Sequence, residues 1–261
     1  RGVVAGACGK MGREVVKALS AAEGVAVVAA VDIAGVGTDA GELAGIAPLH
    51  VPVTDDLEAA IRDARPQVMV EFTRPDAVMA NLRVAVPRGV AAVVGTTGLT
   101  DAHVAELRAL ADGARTPVFV APNFAIGAVL MMRFAQQAAP FFDYAEIIEY
   151  HHEKKLDAPS GTALRTAELM AEAAGGRLTA PPTPEEGEAS RGLARGHIRV
   201  HAVRMPGYVA SQEVIFGGLG QTLILRHDAV SRESFMPGVL MAVRAVRGLC
   251  GLTIGLEQLL P

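Results

Sequence analysis

Tryptophan is absent from the 261-residue chain, and only 3 Tyr and 8 Phe accompany its aliphatic side chains. So few aromatics cannot build the stacking platforms that bind single-stranded nucleic acid. Charge of one sign is lacking too: 24 Lys and Arg stand against 28 Asp and Glu, for a net charge of −4. A nucleic-acid or anionic-membrane partner, which calls for a basic surplus, is not expected. Cysteine is scarce. Cys8 and Cys250 can supply neither a disulfide framework nor a four-ligand metal site, and two reduced thiols fit a cytoplasmic protein. No run reaches 18 apolar residues, because the best candidate, Ala125 to Ala145, is broken by Arg133, Gln136, Gln137 and Asp143. No membrane span is expected, and no signal peptide, since the chain opens on a strand pattern.

What is present is small and aliphatic, and the length allows between one and two domains. The first 120 residues alternate short β-branched runs with helical periodicity, the pattern of parallel βαβ units. Strands are expected at Val3–Ala5, Val25–Val31, Gln67–Phe72, Ala91–Val94 and Pro117–Ala121. Helices are expected at Met11–Ala22, Leu57–Arg62, Pro75–Val86 and Thr100–Asp112, with Gly35–Pro52 mostly irregular. After Asn123 the pattern changes: a helix at Gly127–Ala138, a strand at Ala145–Tyr150, a polar loop at His151–Ser160 and a helix at Thr162–Ala174. The Pro-, Gly- and Glu-rich stretch 175–196 reads as a mobile surface loop. Three strands follow, at Ile198–Val203, Val209–Phe216 and Gln221–Arg226. A last helix, capped by Ser234, and a short strand can return to complete the first sheet. The expected fold class is thus α/β, with residues 1–124 completed by 230–261, joined to an α+β domain over 125–229 that carries a mixed open sheet.

Three features carry chemistry. Gly6-Ala7-Cys8-Gly9-Lys10-Met11-Gly12 lies between a strand and a helix, where glycines let a backbone approach a pyrophosphate at the helix N-terminus. The spacing departs from the usual G-x-G-x-x-G, so an ordinary βα turn stays open. Asp32 closes the next strand, where a carboxylate can accept from an adenosine ribose hydroxyl or simply serve a turn. Second, Gly95-Thr96-Thr97, Phe72 with Arg74, and Ala121-Pro122-Asn123-Phe124 all end strands, where open α/β sheets bind ligands. Third, His151-His152-Glu153-Lys154-Lys155-Leu156-Asp157-Ala158-Pro159-Ser160-Gly161-Thr162 gathers proton donors and positive charge. Ser160 can cap the next helix and leave the Gly161 and Thr162 amides to meet an anion. Such a loop suits a small polycarboxylate with one group free for general acid work, or is a solvated charged loop. Adjacent histidines rarely chelate one ion together, and no Cys or carboxylate cluster accompanies them, so no metal is expected.

Together GACGKMG, EFTRP, GTTG, APNFAIGAV, EYHHEKKLDAPSGTA and RESFMPGV resemble the dihydrodipicolinate reductase (4-hydroxy-tetrahydrodipicolinate reductase) family, from Val3 to about Leu256. The resemblance implies a Rossmann-type dinucleotide-binding domain and a substrate domain that tetramerises. It also implies NAD(P)H-dependent reduction of a cyclic dicarboxylate in lysine and diaminopimelate synthesis. By the same resemblance His151 is the proton donor, with Lys155 its partner. His152, Lys155, Ser160, Gly161 and Thr162 hold substrate carboxylates. Gly6, Ala7, Cys8, Gly9, Lys10, Met11, Asp32, Phe72, Arg74, Gly95, Thr96, Thr97, Ala121, Pro122, Asn123 and Phe124 meet the cofactor. Cys8 stands where some members have Gly or Lys, and Ile33 where some have Arg after the ribose-binding acid. NADH is therefore expected to be favoured over NADPH. Another two-domain dehydrogenase of a small oxo- or amino acid, or an NAD(H)-sensing regulator, are the alternative functions.

Two further expectations concern stability and assembly. As loop residues, His151 and Lys155 should matter for turnover and little for stability. Val209, Val214, Ile215, Leu223 and Leu225 should offer more apolar surface than nearby helices hide, which marks an interface for a homotetramer.

Overall fold

Runs such as Val3-Val4-Ala5 and Ala91–Val94 are apolar at every position, which suits strands covered on both faces. The computed structural model describes residues 1–182 and 190–261 and divides into two units. The first comprises Arg1–Phe124 and Phe235–Pro261. Its strands are β1 (Gly2–Ala5), β2 (Val27–Val31), β3 (Val53–Thr54), β4 (Val68–Glu71), β5 (Ala91–Val94), β6 (Val118–Val120) and β12 (Leu252–Ile254). They form one sheet in the order β12-β6-β5-β4-β1-β2-β3, with every pairing parallel. Helices α1 (Lys10–Ala21), α2 (Ala40–Ala44), α3 (Leu57–Ala64), α4 (Val78–Ala85), α5 (Asp101–Ala114) and α8 (Met236–Ala245) connect them. This is a Rossmann-type sheet. Its strand order reverses between β1 and β4, so the crevice for a ligand opens beyond their carboxyl ends.

Residues 35–52 are mostly irregular, as expected, apart from α2 and an isolated bridge between Asp39 and Pro52. The Asp39 carboxylate accepts from the amides of Gly41 (2.8 Å), Glu42 (3.2 Å), Leu49 (2.9 Å) and Val51 (2.9 Å), tying α2 to the returning chain. Those bonds, Leu49's first, hold its carboxyl down at about 2. One side chain does the organising, so no hydrophobic period announces it. Ser234 does not cap the last helix: its hydroxyl donates to Ser231 O (2.7 Å) within a 3₁₀ turn, and α8 starts at Met236 with Pro237 in its first turn.

The second unit, Ala125–Ser234, is built on β7 (Tyr144–His151), β8 (Leu193–Arg195), β9 (Ile198–Arg204), β10 (Ala210–Gly218) and β11 (Gln221–Ala229). The sheet order is β11-β10-β7-β9-β8, with β7 and β9 parallel and the other pairs antiparallel. Helices α6 (Ile126–Ala138) and α7 (Gly161–Ala174) cover one face, burying Ile147, Ile198, Val214, Phe216 and Met170. Three expectations change. His151 ends β7 instead of opening the loop, paired with Ala210 and Arg204. Stretch 175–196 is partly built in: Leu178 is buried and β8 pairs along β9, while residues 183–189 of the expected loop lie outside those described. All three β8 residues are exposed, so backbone pairing alone makes this edge strand and no alternation signals it. Val214, Leu223 and Leu225 pack into the helix-covered core. Only Ile215, opposite Ile224, stands on the other face, and Val209 precedes β10. Among the described residues no helix is long and apolar enough to cross a membrane.

Candidate active site

In the first unit the glycine loop turns tightly off β1. The Gly6 and Ala7 amides donate to Val31 O (2.8 and 3.2 Å), and Gly9 N donates to Gly6 O (3.0 Å). Gly6 has φ +81°, and a Cβ there would lie 2.5 Å from Phe72 O. A Cβ on Gly12 would lie 1.9 Å from Gly6 O, so α1 seats directly on the turn. No side chain caps α1 at Gly9, so the N-cap itself satisfies none of the first-turn amides. Asp32 braces the floor of this turn. Its Oδ2 accepts from Cys8 N (2.9 Å) and its Oδ1 from Ala34 N (3.0 Å), while the Cys8 thiol donates to Ala34 O (3.1 Å). Burial and the neighbouring Asp32 charge raise the Cys8 thiol pKa, so it is a poor nucleophile.

The other strand ends converge on the same turn. A Cβ on Gly95 would lie 2.1 Å from the Phe72 ring, and that ring tilts against Phe124 at 5.7 Å between centroids. Ala121 N donates to Val94 O (3.0 Å), joining the β5 and β6 ends. Thr96 is buried and Thr97 exposed, while Pro122 is exposed and Asn123 half-buried. Arg74 lies exposed, paired with Asp76 at 3.1 Å. Next to Phe72 in the EFTRP strand end stands a residue to which the sequence assigned no role of its own. Glu71 is fully buried, and burial raises its pKa against hydrogen bonds from Thr73, Asn81 (2.9 Å) and Thr96 (3.5 Å). It thereby ties the β4 end to the Gly95–Thr97 loop.

In the second unit His151 is the last residue of β7, and its Nδ1 lies 2.5 Å from Oε2 of Glu149. Glu149 is fully buried. Arg204, from β9, grips both of its oxygens at 2.8 Å and also donates to Asp157 O (2.7 Å). Burial opposes ionisation of Glu149, but the bonds from His151 and Arg204 prevail and hold its carboxyl at about 2. Ser160 caps α7, its hydroxyl accepting from Ala163 N (3.2 Å) and its amide donating to Glu149 Oε1 (3.1 Å). Gly161 and Thr162 form the first turn of α7. Lys155 holds both oxygens of Asp157 at 2.7 and 2.8 Å, and His152 accepts from Lys154 N (3.2 Å). His151, Lys155 and the N-terminus of α7 are thus laced together through Glu149, Arg204 and the Asp157 segment.

Both halves of the chain match one family. The model for "Dihydrodipicolinate reductase, N-terminus" covers residues 1–124, and that for its C-terminus covers 127–260. The chain belongs to the dihydrodipicolinate reductase family. A protein from Moorella thermoacetica named 4-hydroxy-tetrahydrodipicolinate reductase is 52% identical over 260 residues, spanning 100% of this chain and 97% of its own. A namesake from Gloeobacter violaceus is 50% identical over 266 residues, spanning 99% and 98%. Among solved structures, a dipicolinate-bound dihydrodipicolinate reductase from Paenisporosarcina sp. TG-14 superposes with a TM-score of 0.85 at 40% identity, over 100% of this chain and 99% of that one.

Glu149 and Arg204 escaped the sequence reading, yet Glu149 carried a signal. It is in phase with the buried Ala145 and Ile147, and a carboxylate on a buried strand face needs a partner. A stability test follows. The pKa of Glu149 lies below its ordinary 4.5 in the folded chain, so its contribution is complete above that value and fades as pH falls toward 2. The melting temperature of wild type should drop more steeply over this window than that of Glu149→Gln, and parallel slopes would refute the assignment.

Proposed function

We propose that this chain reduces 4-hydroxy-tetrahydrodipicolinate to tetrahydrodipicolinate with NAD(P)H, in lysine and diaminopimelate biosynthesis. The observation that carries this reading is the end-to-end match to proteins of that name, across both units. The first unit fits a dinucleotide: the cradle around Gly6 and Gly12 has no room for a Cβ, and the adjoining amides are uncapped. When bound, NAD(P)H supplies the hydride to the ring carbon of the substrate. Gly6 to Met11 take the pyrophosphate, Asp32 the adenosine ribose, and Phe72, Arg74, Gly95 to Thr97 and Ala121 to Phe124 frame the nicotinamide end. In the second unit Lys155, His152 and the Ser160–Thr162 turn hold the two carboxylates and balance the negative charge that hydride addition creates. His151 then delivers a proton to that anion. Steady oxidation of NADH on adding the freshly formed product of the preceding condensation step is the test. Binding of NADH without turnover would instead mark a sensor.

Cofactor choice is set beside Asp32. Its carboxylate can accept from ribose hydroxyls and repels a 2′-phosphate, and the next side chain, Ile33, is 82% exposed and carries no charge to offset that. Lys10 can approach the phosphate as a point charge without the fork of Arg. NADH should be favoured about 3- to 30-fold in kcat/KM, with NADPH still used. Ile33→Arg should raise NADPH use, and Lys10→Ala should lower it while sparing NADH. A clear preference of wild type for NADPH would overturn this reading.

A homotetramer is part of the same proposal. The sheet face away from α6 and α7 presents Ile215 opposite Ile224, with Tyr150 stacked on Tyr208 at 5.0 Å and Arg226 over its ring at 5.4 Å. Ile224 is 54% exposed at the centre of an antiparallel pair, an apolar site suited to a second copy. Sedimentation at micromolar concentration should give a tetramer for wild type and a smaller species for Ile224→Glu. A monomeric wild type would contradict it.

A further inference from the structure

Glu149 has no spare acceptor site. Its Oε1 takes Arg204 Nη2 and the Ser160 amide, and its Oε2 takes Arg204 Nη1 and His151 Nδ1. These four donors come from β9, the start of α7 and β7 itself, so the carboxylate cannot rotate away from any one of them. A carboxylate in a bidentate grip with Arg is an acceptor only. The ring nitrogen beside it must therefore carry hydrogen, and the chemistry of His151 is left to Nε2. We propose that Glu149, clamped by Arg204, is a positioning residue that fixes His151 with Nδ1–H inward and leaves Nε2 to deliver the proton. This rests on the reading of His151 as proton donor.

The proton balance is simple. The Nε2–H bond breaks as the proton joins the anion left by hydride addition, and solvent restores it, while Glu149 neither gains nor loses a proton. Charged groups linked to this clamp are Arg204 from β9, and Lys155 and Asp157 from the loop. Lys155 is engaged with the Asp157 carboxylate and Arg204 with its carbonyl, which leaves Glu149 as the carboxylate on the ring. Because the clamp also holds the Ser160 amide, it sets the proton donor and the carboxylate-binding turn of α7 relative to each other.

The test uses the full-length enzyme with 15N-labelled histidine. In wild type the His151 signal, identified by its loss in His151→Gln, should show Nδ1 protonated. In Glu149→Gln, whose amide can donate as well as accept, the ring should populate both tautomers. In that variant kcat should fall about 10- to 100-fold, the scale for losing a group that orients a functional histidine. KM should stay within about threefold, since the Gln carbonyl can still accept from the Ser160 amide and keep the start of α7 in place. Wild-type kcat in Glu149→Gln beside an inactive His151→Gln overturns this inference alone. Full activity in His151→Gln overturns the proton-donor reading and this inference with it. If Glu149→Gln does not fold, the wild-type spectrum decides, because a bare Nδ1 in wild type is incompatible with the proposal.

Discussion

His151→Gln and Lys155→Ala are each expected to lower kcat by about 100-fold or more, the scale for removing a positioned acid or a charge stabiliser. The two variants should part company in stability. Lys155 holds an Asp157 whose side chain is 62% exposed, and a solvent-screened pair of that kind contributes little. Its loss should leave the melting temperature nearly unchanged. His151 closes β7 and satisfies a fully buried carboxylate, so Gln at this position should cost about 1–3 kcal/mol. A loop position would have cost almost nothing, as the motif alone suggests. Steady-state kinetics with thermal unfolding on both variants checks the pair of statements, and full activity in either removes that residue from the mechanism.

Gly12→Ala carries the other large effect. The added methyl would lie 1.9 Å from Gly6 O, 2.7 Å from Gly6 C and 2.9 Å from Ala7 Cα, all backbone atoms that no rotamer change can clear. Helix α1 has to shift off the turn, at a cost of about 3 kcal/mol. The same shift misplaces the amides of Lys10 and Met11, and a displacement of about 1 Å in a binding site costs on the order of 100-fold. NADH affinity should fall by at least that factor. Gly113→Ala is the control: it lies in α5, where an added methyl would meet nothing within 4 Å, and should be neutral or slightly stabilising. NADH titration with calorimetric melting would test both, and wild-type affinity in Gly12→Ala would show that the turn is not the phosphate cradle.

Whatever is local along the chain can be read from the residues alone. Buried parallel strands announce themselves as apolar runs, so β1, β5 and β6 were legible from Val3–Ala5, Ala91–Val94 and Pro117–Ala121. The start of α5 at Thr100 was legible because the helix signal is local, and the hydroxyl there accepts from His103 N, three residues on. The glycine turn and the 151–162 motif were legible as contiguous residues whose chemistry depends on spacing. Tertiary structure decided what depends on distant partners. Asp39 reaches Val51, 12 residues away, and Arg204 reaches Glu149, 55 residues away, at separations where no period in the chain connects them. The face of each strand was likewise settled by pairing. Val214 and Ile215 are equally apolar neighbours, but alternation along β10 sends Val214 under the helices and Ile215 to the open side. His151 belongs to β7 for the same reason, since Ala210 and Arg204 on flanking strands extend the ladder to a residue whose polarity alone reads as loop.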